Sequence, residues 1–296
     1  MIDGLLLLDK PAGPTSHDVV AGVRAALGGA RAGHTGTLDP AATGLLAVVT
    51  GRATRLARYL PHEPKTYVGR LVLGVTTSTD DITGVILHRH EGELPADQQV
   101  ARAASALVGR NEQVPPAVSA KRVGGKRLYK LARAGRPSTA APVAVTIDRF
   151  AVAPTGDPRI FDYELAASSG TYVRAAVRDL GRALGCGATV ETLRRIGIGA
   201  WGVAAALPWP AGPDDVRAAL IGLDELPLVC PRLNLLRPED APLFAAGTAV
   251  PYPPGAPEGV EVAVRSATGN LIGIGEVSAG LLRPRVVLAV AHPEPV

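Results

Sequence analysis

Strand-like and helix-like segments alternate along residues 1–200, and this alternation limits the fold more than any other feature of the sequence. Residues 67–73 alternate polar and apolar side chains, the pattern of a strand that is buried on one face. The apolar residues of 171–184 form a single stripe, as in a helix that packs on a core. Because strands with one buried face are typical of antiparallel and mixed sheets, the sequence predicts an α+β domain built on such a sheet.

Further segments continue the same pattern. Strands are predicted at residues 5–8, 45–50, 85–87, 143–152 and 160–167, and helices at residues 53–60 and 97–108. Ser16 is predicted to cap a helix that Gly28 and Gly29 end. The segments together fill most of the first two thirds of the chain.

Proline and glycine concentrate at residues 208–213, which predicts a domain boundary there. We therefore predict a larger domain over residues 1–212 and a smaller one over residues 213–296. In the smaller domain a helix is predicted at 238–247 and short strands at 260–264, 271–277 and 282–289, the pattern of a small β-barrel-like module.

Basic residues are concentrated in the larger domain. Residues 1–212 contain 25 Lys and Arg against 17 Asp and Glu, a net charge of +8, whereas residues 213–296 contain 6 against 10, a net charge of −4. Residues 113–147 contain no acidic residue. One such run is often a solvated helix face. A second acid-free cluster, formed by the three arginines of residues 52–58, favours a polyanionic partner, and nucleic acid is the obvious candidate.

The cysteines and histidines limit the compartment and the chemistry. Cys186 and Cys230 are far apart in the sequence, so we expect free thiols and a reducing, cytoplasmic location. The six histidines show no metal-ligand spacing, so we expect no metal. The chain begins without the basic region and cleavage site of a signal peptide, and its apolar runs are too short to span a membrane.

Residues 33–44 are the most informative segment, because they combine glycines, threonines, a histidine and an Asp-Pro pair between a predicted helix and a predicted strand. Asp-Pro and Gly are common in turns, so a structural turn is one interpretation. A simple turn does not need twelve residues, and loops of this length usually carry function. A carboxylate such as that of Asp39 can stabilise oxocarbenium-like charge at a sugar C1′ or attack that carbon.

The segment Gly-His-Thr-Gly-Thr-Leu-Asp-Pro-x-Ala-Thr-Gly at residues 33–44 resembles the catalytic motif of the TruB family of tRNA pseudouridine synthases. Other blocks resemble that family in the same order: residues 9–16, 65–67, 115–121 with 125–129, 169–174 and 193–195. Residues 269–276, with Arg283 and Pro284 beyond them, resemble the end of a PUA-type RNA-binding module. The resemblance thus covers nearly all of residues 1–200 and part of the remainder.

The resemblance implies a pseudouridine synthase catalytic domain and a small β-rich PUA-like domain that act on the T-loop uridine at tRNA position 55 by base flipping. Asp39 would be the catalytic residue, Arg174 would pair with it, and Tyr67 would stack on the flipped base. His34 would fill the space left by that base, Tyr172 and Leu193 would line the pocket, Asp81 would lie near the nucleotide, and Lys10 would support the catalytic loop. A basic insertion at about 113–142 would contact phosphates through Lys121, Lys126, Arg127 and Lys130.

Other interpretations stay open. Tyr67 could be a core tyrosine of a strand, Arg174 a surface residue of a helix, and Leu193 a core leucine of a helix. The chain could be a non-catalytic RNA chaperone, although such a protein has no need of an Asp, Tyr and Arg constellation. It could also modify another RNA, although it lacks the Lys-rich tails that would favour a ribosomal RNA target. We expect a monomer that binds the T-arm of tRNA without a cofactor, an obligate protein partner or a membrane.

Overall fold

The computed structural model describes residues 2–119, 121–123, 126–128, 131, 134, 140–234, 237, 239–252 and 257–288. The strands are β1 (Gly4–Lys10), β2 (Ala32–His34), β3 (Thr43–Thr50), β4 (Lys65–Leu73), β5 (Val75–Thr77), β6 (Ile86–Arg89), β7 (Gly109–Gln113), β8 (Arg122–Val123), β9 (Lys126–Arg127), β10 (Val143–Pro154), β11 (Ile160–Ala167), β12 (Ala188–Ile198), β13 (Trp201–Gly202), β14 (Leu207–Pro208), β15 (Ile221–Gly222), β16 (Arg232–Asn234), β17 (Val250–Pro251), β18 (Glu261–Arg265), β19 (Leu271–Ser278) and β20 (Leu281–Val287). The α-helices are α1 (Ser16–Ala26), α2 (Asp97–Ala106), α3 (Val173–Ala183), α4 (Pro213–Ala218) and α5 (Asp240–Ala245), and 3-10 helices lie at Gly51–Tyr59, Val203–Ala205 and Leu223–Glu225.

One large sheet runs through the N-terminal part of the chain. Its strands follow the order β14-β1-β3-β12-β4-β11-β10-β7, with β2 on β3, β13 on β12 and β15 on β1. Most neighbours are antiparallel, whereas β12 is parallel to β3. The predicted α+β class with a mixed or antiparallel sheet is therefore confirmed.

The burial of each strand explains its sequence pattern. Leu6 and Leu8 of β1 pack with α1, whereas Leu5 and Leu7 face the 3-10 helix at Gly51–Tyr59 and the C-terminal sheet. Both faces of β1 are therefore buried, and its leucines form a continuous run. Strand β4 is buried on one face, where α2 and α3 pack, and its residues alternate accordingly.

The start of α1 differs from the prediction by one residue. Thr15 caps the helix, because its hydroxyl accepts a hydrogen bond from the Asp18 amide and the Asp18 carboxylate accepts one from the Thr15 amide. Ser16, the predicted cap, is the first residue of the helix and is buried. Its hydroxyl contacts a neighbouring loop instead of the helix backbone.

A second sheet, in the order β16-β18-β19-β20-β17, forms the C-terminal part, and Phe244 of α5 lies in its core. This curled sheet confirms the predicted β-rich, PUA-like module. The predicted boundary at residue 212 stays a prediction. Ile221 pairs with Leu5 of β1, and Val216 packs with the core beneath α1, so residues 213–222 lie against the large sheet.

The three arginines of residues 52–58 contact acidic and carbonyl groups, and their predicted binding of a polyanion stays a prediction. Arg52 pairs with Asp3 at 2.8 Å and donates to the Leu288 carbonyl at 2.6 Å. Arg55 donates to the carbonyl of Val287, and Arg58 pairs with Glu261. The cluster joins the large sheet to the C-terminal sheet, and its acidic and carbonyl partners come from distant parts of the sequence.

In the part of the chain that the structure describes, the helices are too short or too polar to cross a lipid bilayer.

Candidate active site

A cleft of about 260 Å³ lies between the loop before β3, strands β4 and β12, and the start of α3. Five of the predicted site residues line it: Asp39, Tyr67, Tyr172, Arg174 and Leu193. The rest of the wall is formed by Lys65, Arg195 and residues 36–38, 170, 171 and 173. A larger depression of about 550 Å³ lies on strands β4, β10 and β11, where exposed arginines pair with carboxylates.

Asp39 and Arg174 form an ion pair inside the cleft. Nε and Nη2 of Arg174 each lie 2.9 Å from Oδ2 of Asp39. The Arg174 side chain is 5% exposed and the Asp39 side chain 38% exposed, so the carboxylate faces the open cleft and the guanidinium lies beneath it. Arg174 also donates to the carbonyls of Thr79 at 2.6 Å and Val118 at 3.0 Å. These contacts hold the guanidinium plane in one orientation.

Asp81 lies against the same guanidinium, with Oδ2 at 3.6 Å from Nη1 of Arg174. Its Oδ1 accepts hydrogen bonds from the Thr79 hydroxyl at 2.7 Å and the Thr83 amide at 3.0 Å. Asp81 therefore supports Arg174 from outside the described wall of the cleft. Its predicted contact with the nucleotide stays a prediction.

Lys10 connects the 33–44 loop to the segment that follows β1. The side chain is completely buried, and Nζ donates to the carbonyls of Pro11 at 2.8 Å, Pro14 at 2.9 Å and Pro40 at 3.3 Å. Burial lowers the pKa of Lys10 to about 8, and the nearby Asp39 carboxylate partly offsets this shift. The geometry agrees with a supporting role for Lys10, because its three donors are directed at backbone carbonyls.

Arg195 binds backbone carbonyls of the same loop. Its guanidinium, in a side chain only 1% exposed, donates to the carbonyls of Gly36 at 3.1 Å, Thr37 at 3.4 Å and Leu45 at 2.7 Å. Gly44 lets β3 approach β12 at this point, since a Cβ on Gly44 would lie 2.1 Å from the Arg195 carbonyl oxygen. The parallel pairing of β3 with β12 thus fixes the end of the loop.

Two family models match the chain. Residues 24–173 match the TruB family pseudouridylate synthase N-terminal domain, and residues 231–288 match the pseudouridine synthase II TruB C-terminal domain. The chain belongs to the TruB family of pseudouridine synthases. The membership of this family that the sequence blocks predicted is therefore confirmed.

Similar TruB-family proteins cover most of the chain. The tRNA pseudouridine synthase B of Synechococcus sp. is 40% identical over 291 residues, 97% of this chain and 98% of that protein. The protein of the same name from Thermosipho melanesiensis is 44% identical over 235 residues, 79% of this chain and 76% of that protein. The crystal structure of a Cbf5-Nop10-Gar1 complex matches with a TM-score of 0.71 and 24% identity, covering 99% of this chain and 86% of that chain. This structural match shows that the two chains share a fold.

Tyr67 and Lys65 form the wall of the TruB cleft on β4. Tyr67 is 7% exposed, and burial raises the pKa of its hydroxyl. The Arg195 guanidinium lowers this pKa and so partly offsets the effect of burial. Nζ of Lys65 donates to the Ser169 hydroxyl at 2.8 Å. Burial, together with repulsion by Arg195, lowers the pKa of Lys65 to about 8. The wall therefore presents a phenol ring beside a buried amine.

Gln113 fixes the start of α3. Tyr172 is the residue before the first helical residue, and its amide donates to Oε1 of Gln113 at 2.8 Å while its carbonyl accepts from Nε2 at 3.2 Å. Gln113 is 2% exposed, so this pairing takes place inside the protein. It orients the first turn of α3, where Arg174 lies.

The other predicted residues lie on strands, at an exposed position or outside the described residues. His34 is half-buried at the end of β2, where it pairs with Val48 of β3. Leu193 lies on β12, so the alternative of a helix-core leucine is wrong. Lys121 is exposed, whereas Lys126 and Arg127 form the short strand β9. Lys130 lies outside the described residues.

Sequence reasoning missed three residues that hold the TruB site together: Ser16, Gln113 and Arg195. Arg195 was visible as the last residue of the block 193–195, but no pattern assigned it to the loop carbonyls. Gln113 is the first residue of the acid-free run and carries no motif of its own. Their roles arise from contacts between segments that are far apart in the sequence.

Ser16→Ala is expected to destabilise the protein by about 1–3 kcal/mol, because it leaves two buried backbone groups without their partner. The Ser16 hydroxyl donates to the Leu38 carbonyl at 2.9 Å and accepts from the Leu38 amide at 2.8 Å, beside Asp39. Urea unfolding measures the loss, and Ser105→Ala on the exposed face of α2 is the control. Equal stability of the two variants would contradict the anchoring role.

Proposed function

We propose that this protein isomerises the T-loop uridine of tRNA to pseudouridine, with Asp39 as the catalytic residue. The observation that carries the proposal is the ion pair between Asp39 and Arg174, with 2.9 Å contacts, in a cleft that Tyr67, Tyr172 and Leu193 also line. The name tRNA pseudouridine synthase B, borne by the similar proteins, supports the choice of tRNA.

The geometry suits a reaction that cleaves and rejoins the same two fragments. We expect the target base to leave the RNA stack and to enter the cleft against Tyr67. Because Arg174 engages Oδ2 of Asp39, the other oxygen, Oδ1, is expected to face C1′ of the ribose.

Cleavage of the bond between C1′ and N1 then leaves an oxocarbenium-like sugar or a sugar ester of Asp39. The detached uracil rotates, and its C5 bonds to C1′. The proton on C5 is lost to the solvent, and N1 gains one, so the product has the composition of the substrate. One carboxylate suffices, because no water adds to C1′ and no second group has to activate one.

Release of tritium from tRNA labelled at uridine C5 tests the proposal, since loss of that hydrogen accompanies the new C–C bond. The assay uses the purified protein without added metal or cofactor, and the modified position is mapped by sequencing. Release confined to the T-loop uridine is the expected result. Tight tRNA binding without tritium release would instead favour the RNA chaperone. Tritium release from another RNA and not from tRNA would mean that the protein modifies that RNA.

We also propose that the protein acts as a cytoplasmic monomer, without an obligate protein partner. The two free cysteines, one of them buried, agree with a reducing compartment. Sedimentation of the protein with and without tRNA tests the monomer, and a stable dimer in the absence of RNA would contradict it.

Replacement of Lys126, Arg127 and Lys130 by Gln is expected to weaken tRNA binding and to flatten its salt dependence. Removal of one phosphate-binding charge reduces the slope of log K against log salt by about 0.7–0.9, so the triple change should reduce it by roughly 2–3. Binding titrations over a range of salt concentrations measure the slope. Arg102→Gln, at an exposed position of α2, is the control and should leave the slope unchanged.

A further inference from the structure

Residues 113–119, called here the insertion root, comprise the last residue of β7 and the first part of the basic insertion, and they lie along α3. Nη2 of Arg174 donates to the Val118 carbonyl at 3.0 Å, and Nη2 of Arg178 donates to the Val114 carbonyl at 2.9 Å. The two arginines are four residues apart and share one face of α3. The helix therefore holds the insertion root at two points.

Arg178 is itself fixed by carboxylates. Its Nη1 lies 3.0 Å from Oδ2 of Asp80, and its Nε lies 3.0 Å from Oδ1 of Asp179. The side chains of Arg178 and Asp80 are 18% and 16% exposed, so their ion pair is well shielded from solvent. Asp80 belongs to the same turn as Thr79, whose carbonyl accepts from Arg174. One turn thus supports both arginines.

The insertion root and Asp39 share a donor. Nη2 of Arg174 lies 2.9 Å from Oδ2 of Asp39 and 3.0 Å from the carbonyl oxygen of Val118. A shift of the root therefore changes one of the acceptors that hold the guanidinium and, with it, the orientation of the Asp39 carboxylate. Arg178 and its carbonyl partner Val114 resist such a shift from one helical turn away.

Ser119 supplies an independent observation at the end of the root. Its side chain is 5% exposed, and its hydroxyl has no hydrogen-bond partner among the described residues. A buried hydroxyl without a partner costs free energy, so a second arrangement of the root in which it is bonded would recover that cost. A second arrangement of the root could thus be stabilised by a hydrogen bond to Ser119, whereas the ion pair of Arg178 with Asp80 stabilises the observed one.

We propose that Arg178 and Asp80 are positioning residues, whose ion pair holds the insertion root on α3 and so sets the orientation of Arg174 at Asp39. The proposal rests on the isomerase function proposed above. Both side chains lie outside the described wall of the cleft, so they act through Arg174 and the root. Through them, the position of the basic insertion is coupled to the chemistry at Asp39.

The test compares Arg178→Ala and Asp80→Ala with Arg182→Ala, a change on the same helix at a side chain that is 75% exposed. The amides of the root belong to residues 113, 114 and 117–119, because Pro115 and Pro116 have none. Their hydrogen exchange should become roughly tenfold faster in the first two variants, because the Arg178 hydrogen bond to the Val114 carbonyl is lost or loses its carboxylate support. Single-turnover pseudouridine formation should fall roughly ten- to hundredfold, as a small misplacement of a catalytic group can cause. The Kd for tRNA should stay within about twofold of the wild type, since binding contacts are unchanged.

Two further comparisons separate positioning from general destabilisation. The double variant of Arg178→Ala and Asp80→Ala should be no slower than the slower single variant, because both changes break one interaction. Arg178→Lys, which keeps the charge on a single donor nitrogen, should recover part of the rate.

Each readout decides a separate part of the proposal. Unchanged exchange at residues 113–119 in Arg178→Ala would overturn the anchor, whatever the turnover. Faster exchange with a wild-type rate would overturn the coupling to Asp39, and equal losses of rate and tRNA affinity would reduce the pair to a structural role. A wild-type protein that releases no tritium would count against the proposed function, while exchange would still decide the anchor.

Discussion

Asp39→Asn is expected to lower the rate of pseudouridine formation by at least roughly 10⁴-fold, the scale on which removal of an essential catalytic side chain acts. Asparagine has nearly the same shape, and its carbonyl oxygen can still accept a hydrogen bond from Arg174. The change removes the negative charge and the nucleophile and keeps the contact. The fold and the affinity for tRNA should therefore persist, with a Kd within about threefold of the wild-type value.

Tritium release under single-turnover conditions measures the rate, and equilibrium binding to labelled tRNA measures the affinity. The matched control is Asp157→Asn, at an exposed turn where the carboxylate accepts from the Arg159 amide at 2.8 Å. It should retain full activity. Loss of the fold in Asp39→Asn, without loss in the control, would favour the interpretation of residues 33–44 as a structural turn. Substantial turnover by Asp39→Asn would mean that another group is the catalytic residue.

Local patterns were enough to locate most elements of this fold. The alternation at 67–73 lies within β4, and the apolar stripe at 171–184 contains α3. The continuous leucines of 5–8 reflect a strand covered on both faces. In each case the pattern records which side chains face the core, and burial dominates the free energy of folding.

Contacts between distant segments could not be predicted in the same way. Arg52 belongs to an acid-free run, yet it pairs with Asp3 and with the carbonyl of Leu288. Ser16 has the composition of a helix cap, yet Thr15 takes that position and frees the Ser16 hydroxyl for Leu38. A short polar or charged side chain can satisfy its hydrogen bonds in several ways, and the tertiary structure selects one of them.

The candidate site contains residues that the sequence predicted and one that it did not. The resemblance to the TruB family pointed to Asp39 and Arg174, and the structure brings them into contact although they are 135 residues apart. The arginine that holds the loop carbonyls, Arg195, was not predicted, because its partners are backbone atoms. Backbone acceptors leave no residue-specific signal in a single sequence, so only the folded chain reveals them.

Arg174→Lys is expected to lower the rate of pseudouridine formation by roughly 10²–10³-fold, the usual cost of removing one preorganised donor at a reacting charge. Arginine contacts two carboxylates and two carbonyls here, those of Asp39, Asp81, Thr79 and Val118. A lysine keeps the positive charge but lacks the planar fork that reaches all four groups at once. The carboxylate of Asp39 would then lose its fixed orientation.

The same change should leave tRNA affinity within about twofold, because the Arg174 side chain is 5% exposed beneath Asp39. Unfolding in urea should show a loss of about 1–3 kcal/mol, since at least one buried carbonyl loses its donor. Rates are therefore compared well below the unfolding transition, with Arg182→Lys on the exposed face of α3 as the control. A rate within tenfold of the wild type would mean that positive charge alone is sufficient. A large loss of rate with intact binding would mean that the orientation of Asp39, which the planar guanidinium sets, is what the reaction requires.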